Sequence, residues 1–476
     1  MKNNKMKKVF FVSLGCAKNL VDSEVMLGKL SETNEYVVTD KVEDADVIIV
    51  NTCSFVEQAK TESIEVILEM AKYKKFLVVA GCMSQRYYKE LEKEMPEVDL
   101  FIGTGEYHKV VEHIKSLQEE KKLKTSKRSF VSTPTYIHSE KDKRLISTKS
   151  HTSWLKVSEG CNRHCSFCII PKIRGNLRSR SVNSLLKEAQ TLAQNGVKEL
   201  NLVAQDLSVY GQDLIKSHRT NTNTSFLADL LKGLDQIDSL HWIRMLYFYP
   251  DNLNDQIIEV IANSKKICHY LDVPIQHLSD PILKKMNRKI TSKKILDNIH
   301  KIRKALPNIV LRTSIIVGFP GEEDHHFEEL IEGIKSVKFN HLGVFKYSEE
   351  ENTAASKMKK KVDQEIIDNR YDQVYRIQKR ISRALNKKYI GKDVEVLIEG
   401  VHEETDLLLQ GRFYGQAPDI DGKVIINDLG EMRDRDRDRD REERDGTPKN
   451  IKIGDFVKVK IEDFHDYDLV GGISYP

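Results

Sequence analysis

The sequence predicts an α/β protein in three parts: an N-terminal doubly wound α/β domain, a central partial (βα)6 barrel and a small C-terminal β-barrel. Three observations predict it. β-rich apolar runs alternate with amphipathic helical patterns at the start, strand-then-helix repeats six times through the middle, and short glycine-punctuated strands close the chain. The expected segments are residues 7–118, 147–378 and 381–476.

In the first segment Val9–Leu14, Val47–Asn51 and Phe76–Ala80 read as buried parallel strands. Helical patterns follow them near Ser23–Ser31, Glu57–Ala71 and Arg86–Glu94. A polar, lysine-rich connector begins at Glu119 and includes a candidate edge strand at Ser129–Val131. The middle segment offers strands at Trp154–Val157, Glu199–Ala204, Trp242–Tyr247, Tyr270–Val273, Val310–Val317 and Leu342–Tyr347. Six βα units fall short of the eight of a closed barrel, and a site is expected at the C-terminal strand ends. A charged helix over Gln364–Asn386 leads out. In the last segment Val394–Ile398, Lys423–Ile426 and Phe456–Ile461 are short strands of a small barrel. The alternating arginine–aspartate run Arg433–Arg441 has no apolar face and reads as a solvated or disordered insertion.

Of the 476 residues 39% are hydrophobic and 31% charged, which fits a soluble globular protein. No apolar run reaches the roughly 20 residues of a membrane helix, so no membrane partner is expected. Leu14-Gly15-Cys16 behind four lysines could pass for a lipoprotein signal. The apolar stretch is too short, however, and charge returns at once with Lys18, Asp22 and Glu24. Seven cysteines in so long a chain argue against a secreted disulfide framework and for a reducing cytoplasm.

Six of those cysteines form two sets. Cys161, Cys165 and Cys168 lie on one short loop after the first barrel strand. Thiolates suit iron–sulfur clusters, and a four-iron cube held by three of them keeps one iron open for a further ligand. A zinc site completed by His164 is the blander reading; it lacks the second ligand pair that zinc spacings normally show. Cys16, Cys53 and Cys82 each fall two residues beyond an expected strand. Parallel strands end along one edge, where open α/β sheets bind ligands, so these three can converge despite their separation. Buried free cysteine is the alternative for any one of them, and is the reading for Cys268.

The Cys-x3-Cys-x2-Cys loop resembles that of radical S-adenosylmethionine enzymes, and the three-part order resembles their methylthiotransferase family, whose last domain is called TRAM. The resemblance is carried by Ser13-Leu-Gly-Cys-Ala-Lys-Asn-Leu-Val-Asp-Ser-Glu24, by Cys165-Ser-Phe-Cys-Ile-Ile-Pro-Lys-Ile-Arg-Gly-Asn-Leu-Arg-Ser-Arg180 and by Gly411-Arg-Phe-Tyr-Gly-Gln-Ala-Pro-Asp-Ile-Asp-Gly422. It is nearest to the branch that methylthiolates an aspartate of small-subunit ribosomal protein S-twelve. The sister branch modifies an adenosine of transfer RNA and typically shows Gly-Cys-Gln-Met-Asn, where this chain has Gly15-Cys16-Ala17-Lys18-Asn19.

The resemblance implies two 4Fe–4S clusters and S-adenosyl-L-methionine as cofactors. Cys161, Cys165 and Cys168 would hold the cluster that binds and cleaves S-adenosylmethionine to a deoxyadenosyl radical, which takes hydrogen from the aspartate β-carbon. Cys16, Cys53 and Cys82 would hold an auxiliary cluster carrying the sulfur, and a second S-adenosylmethionine would give the methyl group. Electron-donor and sulfur-donor proteins are implied partners. Gly318, Gly321, Glu322 and Gln205 are the expected cofactor contacts, with Tyr249 and His277 at neighbouring strand ends. Two other readings stand beside this one: the same chemistry on transfer RNA, and a non-enzymatic iron–sulfur or zinc module that binds RNA. Residues 394–470 carry 12 Lys and Arg against 21 Asp and Glu, a net of −9, whereas the whole chain is +4. RNA is bound chiefly through cations that neutralise phosphates, so a basic ribosomal protein is the expected partner and direct transfer RNA binding is not.

Overall fold

The computed structural model describes residues 6–120, 128–218, 225–428 and 451–474. The run Arg433–Arg441 lies outside them.

The first sheet is built from β1 (Lys7–Ser13), β2 (Tyr36–Val38), β3 (Val47–Thr52), β4 (Phe76–Gly81), β5 (Leu100–Ile102) and β6 (Ser129–Phe130). All pairs are parallel, in the order β2-β1-β3-β4-β5-β6. Helices Ala17–Glu32 and Val110–Glu120 cover one face through Val25, Met26, Leu30 and Ile114. Helices Glu57–Ala71 and Cys82–Glu94 cover the other through Ile67, Met70, Met83 and Leu91. The strand order turns around between β1 and β3, and such a switch point opens a crevice beyond the strand ends.

The second sheet contains β7 (Thr152–Lys156), β10 (Glu199–Val203), β11 (Trp242–Met245), β12 (Ile267–Asp272), β13 (Val310–Val317) and β14 (His341–Lys346). A small ribbon of β8 (Ser158–Glu159) and β9 (Arg178–Ser179) stands beside it. The six strands run parallel in the order β14-β13-β12-β11-β10-β7 and leave the barrel open between β7 and β14. Leu155, Leu200, Leu202, Ile243, Leu271 and Leu311 pack under the outer helices. Trp154, Val203, Trp242, Tyr270 and Val310 point the other way and are covered by Val21 from the first segment and by Leu397 and Ala417 from the last.

The last segment is a closed five-strand barrel of β15 (Asp393–His402), β16 (Thr405–Phe413), β17 (Val424–Asp428), β18 (Phe456–Phe464) and β19 (Leu469–Ile473). The sequence pattern misses β16 and β19. In β16 Arg412 is buried against Glu199 of the central segment and Gln410 is buried beside Lys423, which spoils the alternation expected of a half-solvated strand. In β19 Gly471 is required by close approach: a Cβ there would stand 2.1 Å from the Lys460 carbonyl oxygen. Two helices also begin earlier than their apolar periodicity suggests, at Ala17 and at Cys82, so each starts at or beside a cysteine.

Arg412 locks the barrel onto the central sheet. Its guanidinium meets Glu199 at 2.6 Å and Glu399 at 2.8 Å, while Arg244 meets Glu199 at 3.0 Å. Arg244 also donates to the Tyr414 carbonyl at 2.6 Å, and the Tyr270 hydroxyl to Asp421 at 2.7 Å. The Gly411–Gly422 stretch is therefore a plug seated in the open barrel. Cys268 lies buried beside it among Trp242, Tyr270 and Leu397, in a packing position. No described helix is long and apolar enough to cross a membrane.

Candidate active site: two cysteine triads at one junction

Cys16 and Cys53 sit at the switch point of the first sheet, and Cys82 follows the next strand. Cys16 caps helix Ala17–Glu32, Cys53 follows β3, and Cys82 opens helix Cys82–Glu94 directly after β4. Two glycines allow this approach. Gly15 has φ +86, and a Cβ there would stand 2.7 Å from Cβ and 3.1 Å from Sγ of Cys53. Gly81 has φ +95, and its Cβ would meet Asn51 Oδ1 at 2.2 Å. Only glycine takes both the left-handed backbone and the missing volume.

The three thiols sense one another and a common cation. Burial pushes Cys82 up to about 12 against the pull of Arg174, with the charges of Cys53 and Cys16 adding to the rise. Burial also raises Cys53. Cys16 reaches solvent yet is surrounded by protein on the scale over which charges act. Burial opposes its ionisation, but Lys18 and Arg174 bring the thiol below its ordinary value.

The second triad lies on the loop that leaves the β8 ribbon. Asn287 donates to the His164 carbonyl at 2.6 Å, and Ser166 N–H to the Met286 carbonyl at 3.0 Å, which pins the loop's outer edge. Burial raises Cys161 to about 11 and Cys168 to about 12. The Arg163 N–H reaches Cys161 Sγ at 3.4 Å, and Arg288 lies 3.8 Å from Cys165 Sγ. Arg163 and Arg288 each stand 3.7 Å from the centroid of the Tyr249 ring, hence on opposite faces of it. Arg163 is further fixed by Asp206 and Asp251.

The triads share a wall. Cys82 packs on Ile169, the residue after Cys168, and on Ile173 one helical turn further along. Arg174 donates to Cys82 Sγ at 3.2 Å and to Asn19 Oδ1 at 3.0 Å, and pairs with Asp22 and with Glu159 at 3.3 Å. Lys156 pairs with the same Asp22 and with Glu159 at 2.8 Å. All four charged side chains are buried. Lys156 and Arg174 hold the Glu159 carboxyl well below its usual range despite its burial.

Of the other expected residues, Gln205 donates to Glu159 at 2.5 Å, and its buried Oε1 has no donor among the described residues. Gly318 and Gly321 both have left-handed backbones, φ +76 and +80, in the turn after β13. Glu322 faces inward: it accepts from the amides of Gly318 at 3.1 Å and Phe319 at 3.4 Å and pairs with Arg370 at 3.0 Å. His277 is buried 3.4 Å from it. Sequence reasoning missed Asp22, Lys156, Glu159 and Arg174 as a group. The signal was there in Lys156, a charge set between the apolar Leu155 and Val157.

The donor set fits iron–sulfur clusters: soft thiols in two groups of three, with cations beside them to offset the charge of bound thiolates. Among the described residues no three Cys, His, Asp or Glu side chains close on the position of a single ion. A cube offers separate corners to its ligands, so three thiols that hold one need not meet at a point. Gln205 Oε1 leaves a polar position for a small ligand, whereas the expected contact turn at Gly318–Gly321 is buried and its amides are taken, by Glu322 and, from Gly321, by the Lys360 carbonyl at 2.6 Å.

Comparison with known proteins agrees segment by segment. The Radical SAM superfamily profile matches residues 155–334, the TRAM domain profile residues 390–473, and Uncharacterized protein family UPF0004 residues 8–103. By fold, the chain is similar to the radical S-adenosylmethionine methyltransferase TsrM from Kitasatospora setae, with a TM-score of 0.54 at 14% identity over 74% of this chain and 77% of that one. Two proteins named ribosomal protein uS12 methylthiotransferase RimO are much nearer. The one from Bdellovibrio bacteriovorus is 45% identical over 98% of this chain and 97% of its own length. The one from Geobacter sulfurreducens is 44% identical over 99% of both. With radical SAM and TRAM segments in this order and that identity along nearly its whole length, the chain belongs to the RimO family of radical S-adenosylmethionine methylthiotransferases.

Proposed function

We propose that this protein inserts a methylthio group at the β-carbon of an aspartate in ribosomal protein uS12. The observation that carries the reading is the shared wall: two cysteine triads on different segments, joined by the buried Asp22–Lys156–Glu159–Arg174 group. Chemistry that makes a radical in one place and delivers sulfur in another needs the two places held together. We assign Cys161, Cys165 and Cys168 to a 4Fe–4S cluster that also binds S-adenosylmethionine, and Cys16, Cys53 and Cys82 to an auxiliary one. When bound, these groups supply the one-electron cleavage, the hydrogen-abstracting radical and the sulfur. The chain's own part is positional. Residues 7–118, 147–378 and 381–476 act as three units, and the plug at Arg412 fixes the third against the second.

Around the second triad, Gln205 Oε1 would receive the cofactor, beside the left-handed turn at Gly318–Gly321. Glu322 contributes by holding that turn in shape. Thiols that burial raises further above their ordinary value must lose protons when iron binds, so loading releases acid. An electron donor and a sulfur donor act from outside the chain, in a reducing cytoplasm. The net of −9 over residues 394–470 supports a basic protein partner over transfer RNA.

Anaerobically reconstituted protein is expected to bind about eight irons, two cubes' worth, and to release deoxyadenosine with dithionite. One zinc per chain and no nucleoside product would overturn the reading. The full-length protein should also bind uS12 more weakly as salt rises and show no comparable affinity for transfer RNA; preference for transfer RNA would transfer the reading to the sister branch.

A further inference from the structure

The junction of the triads carries one cation more than its carboxylates pair. Lys156 and Arg174 are each held by Asp22 and Glu159. Lys18 is not. It is 9% exposed, and among the described residues its ammonium has neither a hydrogen bond nor a carboxylate partner. Its ammonium lies 3.5 Å from the centroid of the Tyr247 ring, with the Cys16 thiol and Glu159 acting on it as charges.

Burying an ammonium without an anion is costly, and such a group persists where something else brings the counter-charge. The surroundings say where that charge would arrive. Lys18 is the second residue of helix Ala17–Glu32, just past Cys16, and so belongs to the first triad's rim. Tyr247 follows β11 at the mouth of the open barrel, on the second triad's side. Its backbone is left-handed, φ +59, which is unusual for so bulky a residue, and its N–H is held by Asp272 at 3.1 Å. The structure thus spends backbone strain to set an aromatic face under a cation that no carboxylate pairs and that shares its field with the Cys16 thiol. Arg163 is already paired with Asp206 and Asp251, and Arg288 is engaged by the Pro274 carbonyl at 2.6 Å beside Cys165.

We propose that Lys18 is the counter-ion of the substrate carboxylate and so the residue that selects aspartate. This rests on the reading of the substrate given above. With the carboxylate on Lys18, the adjoining β-carbon is held between the triads, one bond from the anchored group. Asparagine has the same shape without the charge, so its amide oxygen accepts a hydrogen bond from the ammonium but brings no counter-charge.

The test uses the full-length protein and two synthetic peptides of the uS12 segment around the modified aspartate, one with aspartate and one with asparagine in its place. Wild-type protein should prefer the aspartate peptide by roughly ten- to a hundredfold in Kd, the usual worth of a hydrogen bond to a charged group. Lys18→Met, which keeps the stem over Tyr247, and Lys18→Gln should bring the ratio close to one, while Lys18→Arg should retain most of it. Because the ratio is internal to each variant, altered folding or iron content cancels from it. Retention of the wild-type ratio in Lys18→Met, with both peptides weakened alike, would make Lys18 structural and overturn the inference alone. Wild-type protein that binds neither peptide would sink the substrate reading and the inference with it.

Discussion

The two cysteine triads reach similar chemistry by opposite routes. Cys161, Cys165 and Cys168 are neighbours along the chain, so a single loop positions them. Cys16, Cys53 and Cys82 are neighbours only because β1, β3 and β4 are parallel and end along one edge. The first arrangement depends on local backbone; the second depends on the whole sheet and on the two glycines that bring its loops together. A local triad should therefore tolerate distant damage, and a dispersed one should not.

The largest expected effect separates the two outright. Replacing Cys161, Cys165 and Cys168 by alanine should abolish deoxyadenosine release, whereas replacing Cys16, Cys53 and Cys82 should stop sulfur insertion and leave some cofactor cleavage. Both should drop iron content from about eight to about four per chain. Identical product profiles from the two triple variants would erase the division of labour.

Next comes a change that touches no ligand. Gly15→Ala would place a Cβ 2.7 Å from that of Cys53 at a backbone angle alanine disfavours. It should lose one cluster of the two and keep cofactor cleavage. Loss of both clusters would show that the triads are not separable in this way.

This asymmetry also explains what was legible in the sequence. The local triad announces itself in eight residues, and the dispersed one through a repeated offset from three strands. The wall between them was not legible, because it is made of charges. Lys18, Asp22 and Glu24 look like the return of a solvated surface, yet they are 9%, 3% and 0% exposed. Each faces another segment of the chain: Asp22 meets Lys156 and Arg174, and Glu24 meets Arg144 at 2.5 Å and the Ser147 amide at 2.9 Å. Burial of a charge depends on a partner far away in sequence, and helical periodicity carries no record of it. The same holds for Arg412, whose partner Glu199 belongs to the central sheet. Lys18 stood out only as a departure from Gly-Cys-Gln-Met-Asn.

The plug offers a smaller effect that spares both triads. Glu199→Gln leaves Arg244 buried without an anion and Arg412 with Glu399 alone, which should lower unfolding stability by about 3–5 kcal/mol in denaturant melts. A loss below about 1 kcal/mol, the range of an exposed pair, would mean that the barrel is not locked in this way. The smallest effect is the pH dependence of the same contact. Although burial works against it, Arg412 and Arg244 hold Glu199 down to about 2. A carboxylate depressed in the folded state stabilises fully above its unfolded value, and that contribution fades as pH falls toward 2. Stability of the wild type should decline over this interval more steeply than that of Glu199→Gln; parallel declines would remove Glu199 from the account.

The central claim is that two triads joined at one junction act on a single aspartate of uS12. The direct measurement is mass spectrometry of uS12 incubated anaerobically with the reconstituted protein, S-adenosylmethionine and dithionite. A gain of about 46 Da, a methylthio group in place of hydrogen, is expected on one aspartate-containing peptide, absent with either triple-alanine variant. An unchanged uS12 alongside a methylthiolated transfer RNA would contradict it.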